Sequence, residues 1–331
     1  MSDVASDQAP LPYPPRRHLL RDLPFDVVDT GPDSARARLE LVPEVFAAGR
    51  LEPGPVLVVT DVLAGLLVGH VIAPDWMATA QLALHLVDPP GDAGSPSDAV
   101  DAIAVDAVVR RAGRTTIVVE AGLSVLRDGE LVGAAGSVGD AQLTFVRLPR
   151  RDGNLDIADT PVRDGERVSM ALEDSGLRAP YSDAIGLVAL DAGSVGSGSV
   201  GSGSVGSGSV GSGSVGSGSV GADASTVELA VTPFVQNSFG AVNGGVVASM
   251  ATAAAVRAAA AALDGPAVAA DLTATYLAQG RVGPLRAAAT VLRRTGPTVL
   301  CRVEVADVGQ PDDDGRPRTV VVAHVHCLAT A

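Results

Sequence analysis

Asn237-Ser-Phe-Gly-Ala-Val-Asn243-Gly244-Gly245 runs straight into an apolar stretch with helical spacing. A turn ending in two glycines presents bare backbone N–H groups at a helix N-terminus, where the helix dipole favours negative charge. Such a turn can hold the oxyanion of an acyl-transfer intermediate. The same glycines also suit a tight helix–strand crossing, and Asn237 also suits a plain turn. A second candidate stands far away in sequence. Asp61 lies mid-helix among Val and Leu, in Val58-Val59-Thr60-Asp61-Val62-Leu63. A carboxylate in so apolar a setting is costly unless it is paired or used; a partly exposed helical acid is the plainer reading. His324-Val-His326 places two imidazoles on one face of a strand. With no third ligand signal nearby, no metal site is expected. His70 and His85 read as core or surface histidines.

These groups need elements to hold them, and the elements repeat. A helix is expected over about Pro53 to Ile72 and another over about Gly244 to Leu263. Each is apolar nearly all round, which predicts burial. Asp264-Gly265-Pro266 is expected to end the second with a glycine and then a proline. A strand follows each helix, Ala78 to Val87 and Ala269 to Leu277. Then comes Val109-Arg110-Arg111-Ala-Gly113-Arg114 in one half and Leu292-Arg293-Arg294-Thr-Gly296 in the other. Both lead into a further strand, a turn (Arg127-Asp128-Gly129, Asp312-Asp313-Asp314-Gly315) and a last strand. One fold duplicated is the expectation.

The two halves carry complementary motifs. An Asn six residues before an Asn-Gly-Gly at a helix start resembles the hotdog-fold acyl-CoA thioesterases of the phenylacetate-pathway (PaaI-like) type. The resemblance covers about residues 20–148 and 180–330. It implies an α+β architecture of two tandem hotdog folds, each a long central helix wrapped by a curved antiparallel sheet. Together they would form an intramolecular pseudo-dimer. In that family an Asn precedes a His-Gly-Gly, an acid follows nine positions after the His, and a Ser or Thr stands on the next strand. Each site draws its Asn and oxyanion N–H from one partner and its acid and hydroxyl from the other. Carried onto this chain, Asn237 takes the Asn position, Asn243 the His position and Gly244 the oxyanion-hole position, with Gly245 beside it. Asp61 takes the acid position and Thr79 the hydroxyl position. The opposite set, Phe46, Gly54, Thr252 and Ala269, has lost its chemistry. One complete site and one defunct site result. Gly244 N–H and the Asn237 side chain would polarise a thioester carbonyl. Asp61 would then activate water, oriented by Thr79, or attack directly. Coenzyme A enters only as part of the substrate and no other cofactor is implied. Its phosphates would need arginines; Arg110, Arg111, Arg114, Arg293 and Arg294 are the candidates, with solvated strand ends as the plainer reading. Two other readings remain open. One is a non-catalytic acyl-binding or scaffolding protein. The other is a hotdog hydratase or dehydratase, disfavoured because no Asp-x-x-x-x-His pair precedes either helix.

Composition bounds the rest. The chain has 331 residues, enough for two domains and their cores. The net charge of −14 excludes a general nucleic-acid binder, which needs a basic footprint. All 24 basic side chains are arginine, which reads first as coding bias. Cys301 and Cys327 lack metal or disulfide spacing and are expected buried and reduced. No secretory apolar region opens the sequence, and the most span-like stretch, Val56 to Ala73, is short and carries Asp61 and His70. A cytoplasmic protein without membrane partners is expected, with a further homodimer of double hotdogs possible in principle. The expected division is a disordered arm over 1–19, a first hotdog domain over 20–150, a linker over 151–178 and a second hotdog domain over 179–331. Five copies of Gly-Ser-Gly-Ser-Val, 196–220, sit within a low-complexity segment at 193–222. Composition alone fits a flexible linker, and valine at every fifth residue allows β-stacking. The flanking runs Ile185 to Leu190 and Thr226 to Val231 resemble hairpin arms, matching the turn Gly31-Pro-Asp-Ser34, which points to an expanded surface loop.

Overall fold

The structure is a computed structural model that describes residues 13–47, 49–87, 100–132, 136–150, 167–190 and 225–330. The low-complexity segment at 193–222 and residues 151–166 of the expected linker lie outside the described residues.

Alternating burial along the strands is what builds the sheet. The pattern in Thr116–Arg127 buries Ile117, Val119, Ala121 and Leu123 and leaves Thr116, Glu120 and Gly122 exposed; one face packs on helices and the other meets solvent. In the first half the strands are β1 (Phe25–Gly31), β2 (Ser34–Glu40), β3 (Phe46–Ala47), β4 (Arg50–Leu51), β5 (Trp76–Leu86), β6 (Ala102–Ala112), β7 (Thr116–Arg127), β8 (Glu130–Leu131) and β9 (Ser137–Leu148). In the second they are β10 (Val168–Ser169), β11 (Leu187–Leu190), β12 (Thr226–Leu229), β13 (Ala267–Tyr276), β14 (Leu285–Thr295), β15 (Thr298–Pro311) and β16 (Pro317–Ala329). The helices are α1 (Leu19–Asp22), α2 (Pro53–Ile72), α3 (Tyr181–Ala184) and α4 (Gly244–Leu263).

A 14-stranded antiparallel sheet runs β10-β1-β2-β6-β7-β9-β5-β13-β16-β15-β14-β12-β11, with β8 on β7. From β1 to β11 the order is a palindrome about the β5–β13 seam, where Leu82 faces Ala274 and Leu84 faces Leu272. The irregularities repeat as well. Register shifts fall between Thr79 and Gln81 in β5 and between Ala269 and Asp271 in β13. They recur between Val109 and Arg111 in β6 and between Val291 and Arg293 in β14. Bulges at matching places turn matching side chains.

Both long helices have the expected bounds. They are long and apolar enough to cross a membrane by length and composition, yet both are largely buried inside the fold. They meet at Gly245, where an added Cβ would fall 2.5 Å from the Val58 Cα; only glycine lets the backbones approach so closely. At the far end of α4 the left-handed residue is Asp264 (φ 55°) and not Gly265. Asp tolerates that conformation better than most residues because its short side chain bonds locally.

Two sequence expectations change, and the hairpin stands as expected. Residues 13–19, expected within a disordered arm, are packed. His18 is buried, accepts the Leu20 N–H at Nδ1 and donates from Nε2 to the Gln236 carbonyl, 2.7 Å away. Arg21 ties this segment down by donating to the carbonyls of Pro14, Pro15 and Met170. Within the expected linker, Val168–Ser169 pairs with β1 as an edge strand. The hairpin arms beside the low-complexity segment are β11 and β12, paired antiparallel from Leu187↔Leu229 to Leu190↔Thr226.

On the outer face of the seam, Asp271 lies between His85 (2.8 Å) and His326 (3.5 Å). His324 and His326 do share that face, as alternation requires. Cys301 and Cys327 are buried and unbridged.

Candidate active site

Asp61 is the centre of the site. It projects from the middle of α2, is only 8% exposed, and reaches across to the N-terminus of α4. One carboxylate oxygen, Oδ1, accepts the Thr79 hydroxyl at 2.9 Å. The other, Oδ2, accepts the Gly245 N–H at 3.2 Å. Thr79 can do this because the β5 bulge follows it directly. Burial pushes the Asp61 pKa from 3.8 up to about 6, against the opposing pull of the Thr79 and Gly245 hydrogen bonds. A carboxylate so tuned is ionised at neutral pH yet basic enough to take a proton.

Gly244 is held against this carboxylate. A Cβ on Gly244 would sit 2.9 Å from Asp61 Oδ2, so any side chain here would push the carboxylate aside. Its N–H has no protein acceptor among the described residues and borders the cavity. Asn243 caps α4: its side-chain oxygen accepts from Gly245 N at 2.9 Å and from Val246 N at 3.4 Å. That is the ordinary work of an N-cap asparagine. It leaves the first helical N–H, that of Gly244, free for a ligand. Asn237 organises the preceding turn, its Oδ1 accepting from Phe239 N (2.9 Å) and Ala241 N (3.2 Å). Its Nδ2 is therefore the atom left to donate.

Asp61, Thr79, Asn237, Asn243 and Gly244 all line one cavity of about 850 Å³. That volume suits a sizeable small molecule. Trp76, Phe145, Leu66 and Phe239 form an apolar lobe, with Trp76 and Phe239 in edge contact at 4.4 Å. Tyr13, Arg21, Ser238 and Gln279 make the remainder more polar. Gly245 does not line the cavity; it serves the helix crossing and the Asp61 hydrogen bond. None of Arg110, Arg111, Arg114, Arg293 and Arg294 lines it either. They stand exposed at the far ends of β6 and β14 and between β6 and β7, and Arg110 is paired with Glu120 at 2.7 Å.

Two tyrosines were not foreseen. Tyr276 donates to the Gly244 carbonyl at 2.7 Å, fixing the plane of the peptide that leads into Gly245. Tyr13 donates to the Gln236 carbonyl at 3.2 Å. Burial and the Asp61 charge raise both phenol pKa values, so both remain protonated donors. A signal did exist. The chain has only nine aromatic residues, three of them tyrosines, and all three tyrosines lie at the two composite sites.

The opposite set of residues is closed. The two helix starts align Pro53 with Gly244, and Gly54 with Gly245. The oxyanion position of the defunct set is therefore Pro53, which has no N–H to give, and not Gly54. Tyr181 lies on Gly54, where an added Cβ would meet its ring at 2.2 Å, and its hydroxyl bonds Ser249 at 3.0 Å. Thr252 spends its hydroxyl on the Ala248 carbonyl in its own helix (3.0 Å). Glu52 accepts from Ser182. Among the described residues, the counterpart of Asp61 on α4 is Thr252, which carries no carboxylate.

Residues 239–312 match the Thioesterase superfamily family model. No curated protein is similar enough in sequence to match. Among solved structures, a protein from Novosphingobium aromaticivorans described as a candidate thioesterase aligns with a TM-score of 0.52. The two are 13% identical, and 92% of this chain and 98% of that one are covered. A 12:0-ACP thioesterase from Umbellularia californica aligns at 0.51, with 11% identity and coverage of 90% and 94%. The palindromic antiparallel sheet with a long buried helix in each half is a hotdog-like fold, shared with these solved structures.

Proposed function

We propose that this chain hydrolyses acyl thioesters of coenzyme A at the cavity between α2 and the N-terminus of α4. The observation that carries the reading is the juxtaposition of a buried, basic carboxylate with an unused helix N–H inside an apolar cavity. The thioester carbonyl would accept from Gly244 N–H, assisted by Asn237 Nδ2, which polarises its carbon. Asp61, with one oxygen on Thr79 and the other on Gly245, keeps a lone pair free for a water proton. Water adds to the carbonyl carbon as Asp61 takes that proton. The tetrahedral oxyanion is held at Gly244, and its collapse expels the coenzyme A thiolate, which recovers the proton. Direct attack by Asp61 would instead form an acyl–aspartyl anhydride that water then cleaves.

The chain is read as two hotdog domains, about 20–150 and 179–331, joined as an intramolecular pseudo-dimer of the PaaI-like kind. Support comes from the palindromic strand order, the matched bulges and the equal lengths of α2 and α4. One chain then supplies both halves of the site, and no other cofactor is needed. The exposed arginines flanking the β6 and β14 bulges remain candidates for the nucleotide phosphates beyond the cavity mouth. The test is release of free coenzyme A from acetyl-, octanoyl-, dodecanoyl- and benzoyl-CoA, with dodecanoyl carrier protein run in parallel. Turnover of at least one coenzyme A ester is expected. Turnover of the carrier-protein ester alone, or of nothing, would overturn the reading.

A further inference from the structure

α2 and α4 are equal in length and start at equivalent positions, so each residue of one has a counterpart in the other. Asp61 corresponds to Thr252. One turn further on, Gly65 corresponds to Val256. A glycine inside a helix is unfavourable relative to almost any other residue, so its presence needs a reason. Close packing is the usual one, and it accounts for Gly245. It does not account for Gly65: a Cβ there would meet nothing within 4 Å. What the missing side chain leaves open is the cavity. Asp61, Val62, Gly65 and Leu66 form the face of α2 that lines it. Val256 instead packs on the core.

The direction of the acyl group follows from polarity. β5 starts just past the C-terminal end of α2, so on the Gly65 side of Thr79, which bonds Asp61, the apolar lobe is lined by Trp76 and its cross-strand partner Leu148. Burying an apolar chain there is favourable, whereas the pantetheine amides would lose their water partners. Gly65 Cα stands roughly 6 Å along the helix axis from that of Asp61. A chain held at Gly244 and directed along α2 toward Trp76 passes Gly65.

We propose that Gly65 is a specificity-determining residue: its lack of a side chain opens the passage from the reacting carbonyl to the apolar lobe and admits long or ring-bearing acyl groups. This rests on the thioester-hydrolysis reading. Valine at 65 adds three carbons to the passage. At the usual value per buried methylene, displacing as many carbons of the acyl chain costs a factor of roughly 10–10² in kcat/KM.

The experiment compares wild type, Gly65→Ala, Gly65→Val and Val256→Gly across coenzyme A esters from acetyl to dodecanoyl, with benzoyl-CoA included. Gly65→Val is expected to lose that factor on dodecanoyl- and benzoyl-CoA while acetyl-CoA turnover barely moves. Gly65→Ala should shift the profile partway and raise Tm by about 1–3 °C, because alanine is the better helix former. Val256→Gly should lower Tm and leave the profile alone. An unchanged profile in Gly65→Val, or an equal loss at every length, overturns the assignment while leaving the hydrolase reading standing. Wild type inert on every ester removes that reading, and this inference with it.

Discussion

Replacing Asp61 by Asn should make the protein more stable while removing its activity, and the gain should depend on pH. The side chain is almost fully buried, and burial lifts its pKa from 3.8 to about 6. The sign follows from proton binding. Between those values the folded state binds the proton more tightly than the unfolded chain, so stability falls as pH rises through the window. The rise corresponds to about 3 kcal/mol of destabilisation, absent well below pH 4 and complete above about pH 6. Asn is nearly isosteric and stays neutral. Its oxygen can keep the Gly245 N–H, and its NH2 can donate to Thr79, whose hydroxyl also accepts. The variant therefore escapes the penalty without an orphaned partner. At about 2 °C per kcal/mol for a chain of this size, Asp61→Asn should melt about 4–6 °C above wild type at pH 8. The two should converge near pH 4. Paired thermal melts across pH 4 to 8 measure this directly. A variant less stable than wild type at pH 8, or a gap that does not change with pH, would refute the claim that Asp61 is held in a costly ionised form for chemistry.

Other substitutions probe the remaining groups. Gly244→Ala keeps the backbone N–H but puts a methyl 2.9 Å from the Asp61 carboxylate, which must shift; circular dichroism should show a folded protein, and kcat should drop by about 10²-fold, the usual cost of a misplaced catalytic group. Thr79→Val removes a hydrogen bond that lowers the Asp61 pKa, so the acid limb of the pH profile of kcat/KM should move to higher pH. A limb that stays in place would separate Thr79 from Asp61. Tyr276→Phe removes the side-chain donor to the Gly244 carbonyl; urea unfolding should show a loss of about 0.5–1.5 kcal/mol, and kcat should fall with KM little changed.

How much of this was readable beforehand differs by element. The two long helices were readable to the residue, because Asn243-Gly244-Gly245 and Pro53 mark their starts and an unbroken apolar run fills each. The strands after each helix and the last strand came out within two or three residues, since alternation of Val and Ala with polar residues survives even in an aromatic-poor chain, whereas the two-residue strands β3, β4, β8 and β10 are too short to show it. The pairing of Asp61 and Thr79 with Gly244 was readable only through the resemblance, because nothing local in sequence joins residues more than 160 positions apart. Tyr13 was hidden in a proline-rich stretch whose composition reads as disorder, while its order comes from His18 and Arg21 holding carbonyls far away in sequence. Tyr181 was hidden because a plug over Gly54 is a tertiary contact with no periodic signature. The misassigned glycine of the defunct site had a simpler cause. The offset that pairs Asp61 with Thr252 also pairs Pro53 with Gly244 and Gly54 with Gly245, so the proline holds the donor position.

The one-site account is tested most directly by coenzyme A release from dodecanoyl-CoA by wild type, Asp61→Asn and Thr252→Ala, each checked for folding. Thr252 is the counterpart of Asp61 in the closed set and bonds the Ala248 carbonyl within its own helix. The account predicts loss of turnover in Asp61→Asn and wild-type turnover in Thr252→Ala. Retained turnover in Asp61→Asn, or a comparable loss in both variants, would contradict it.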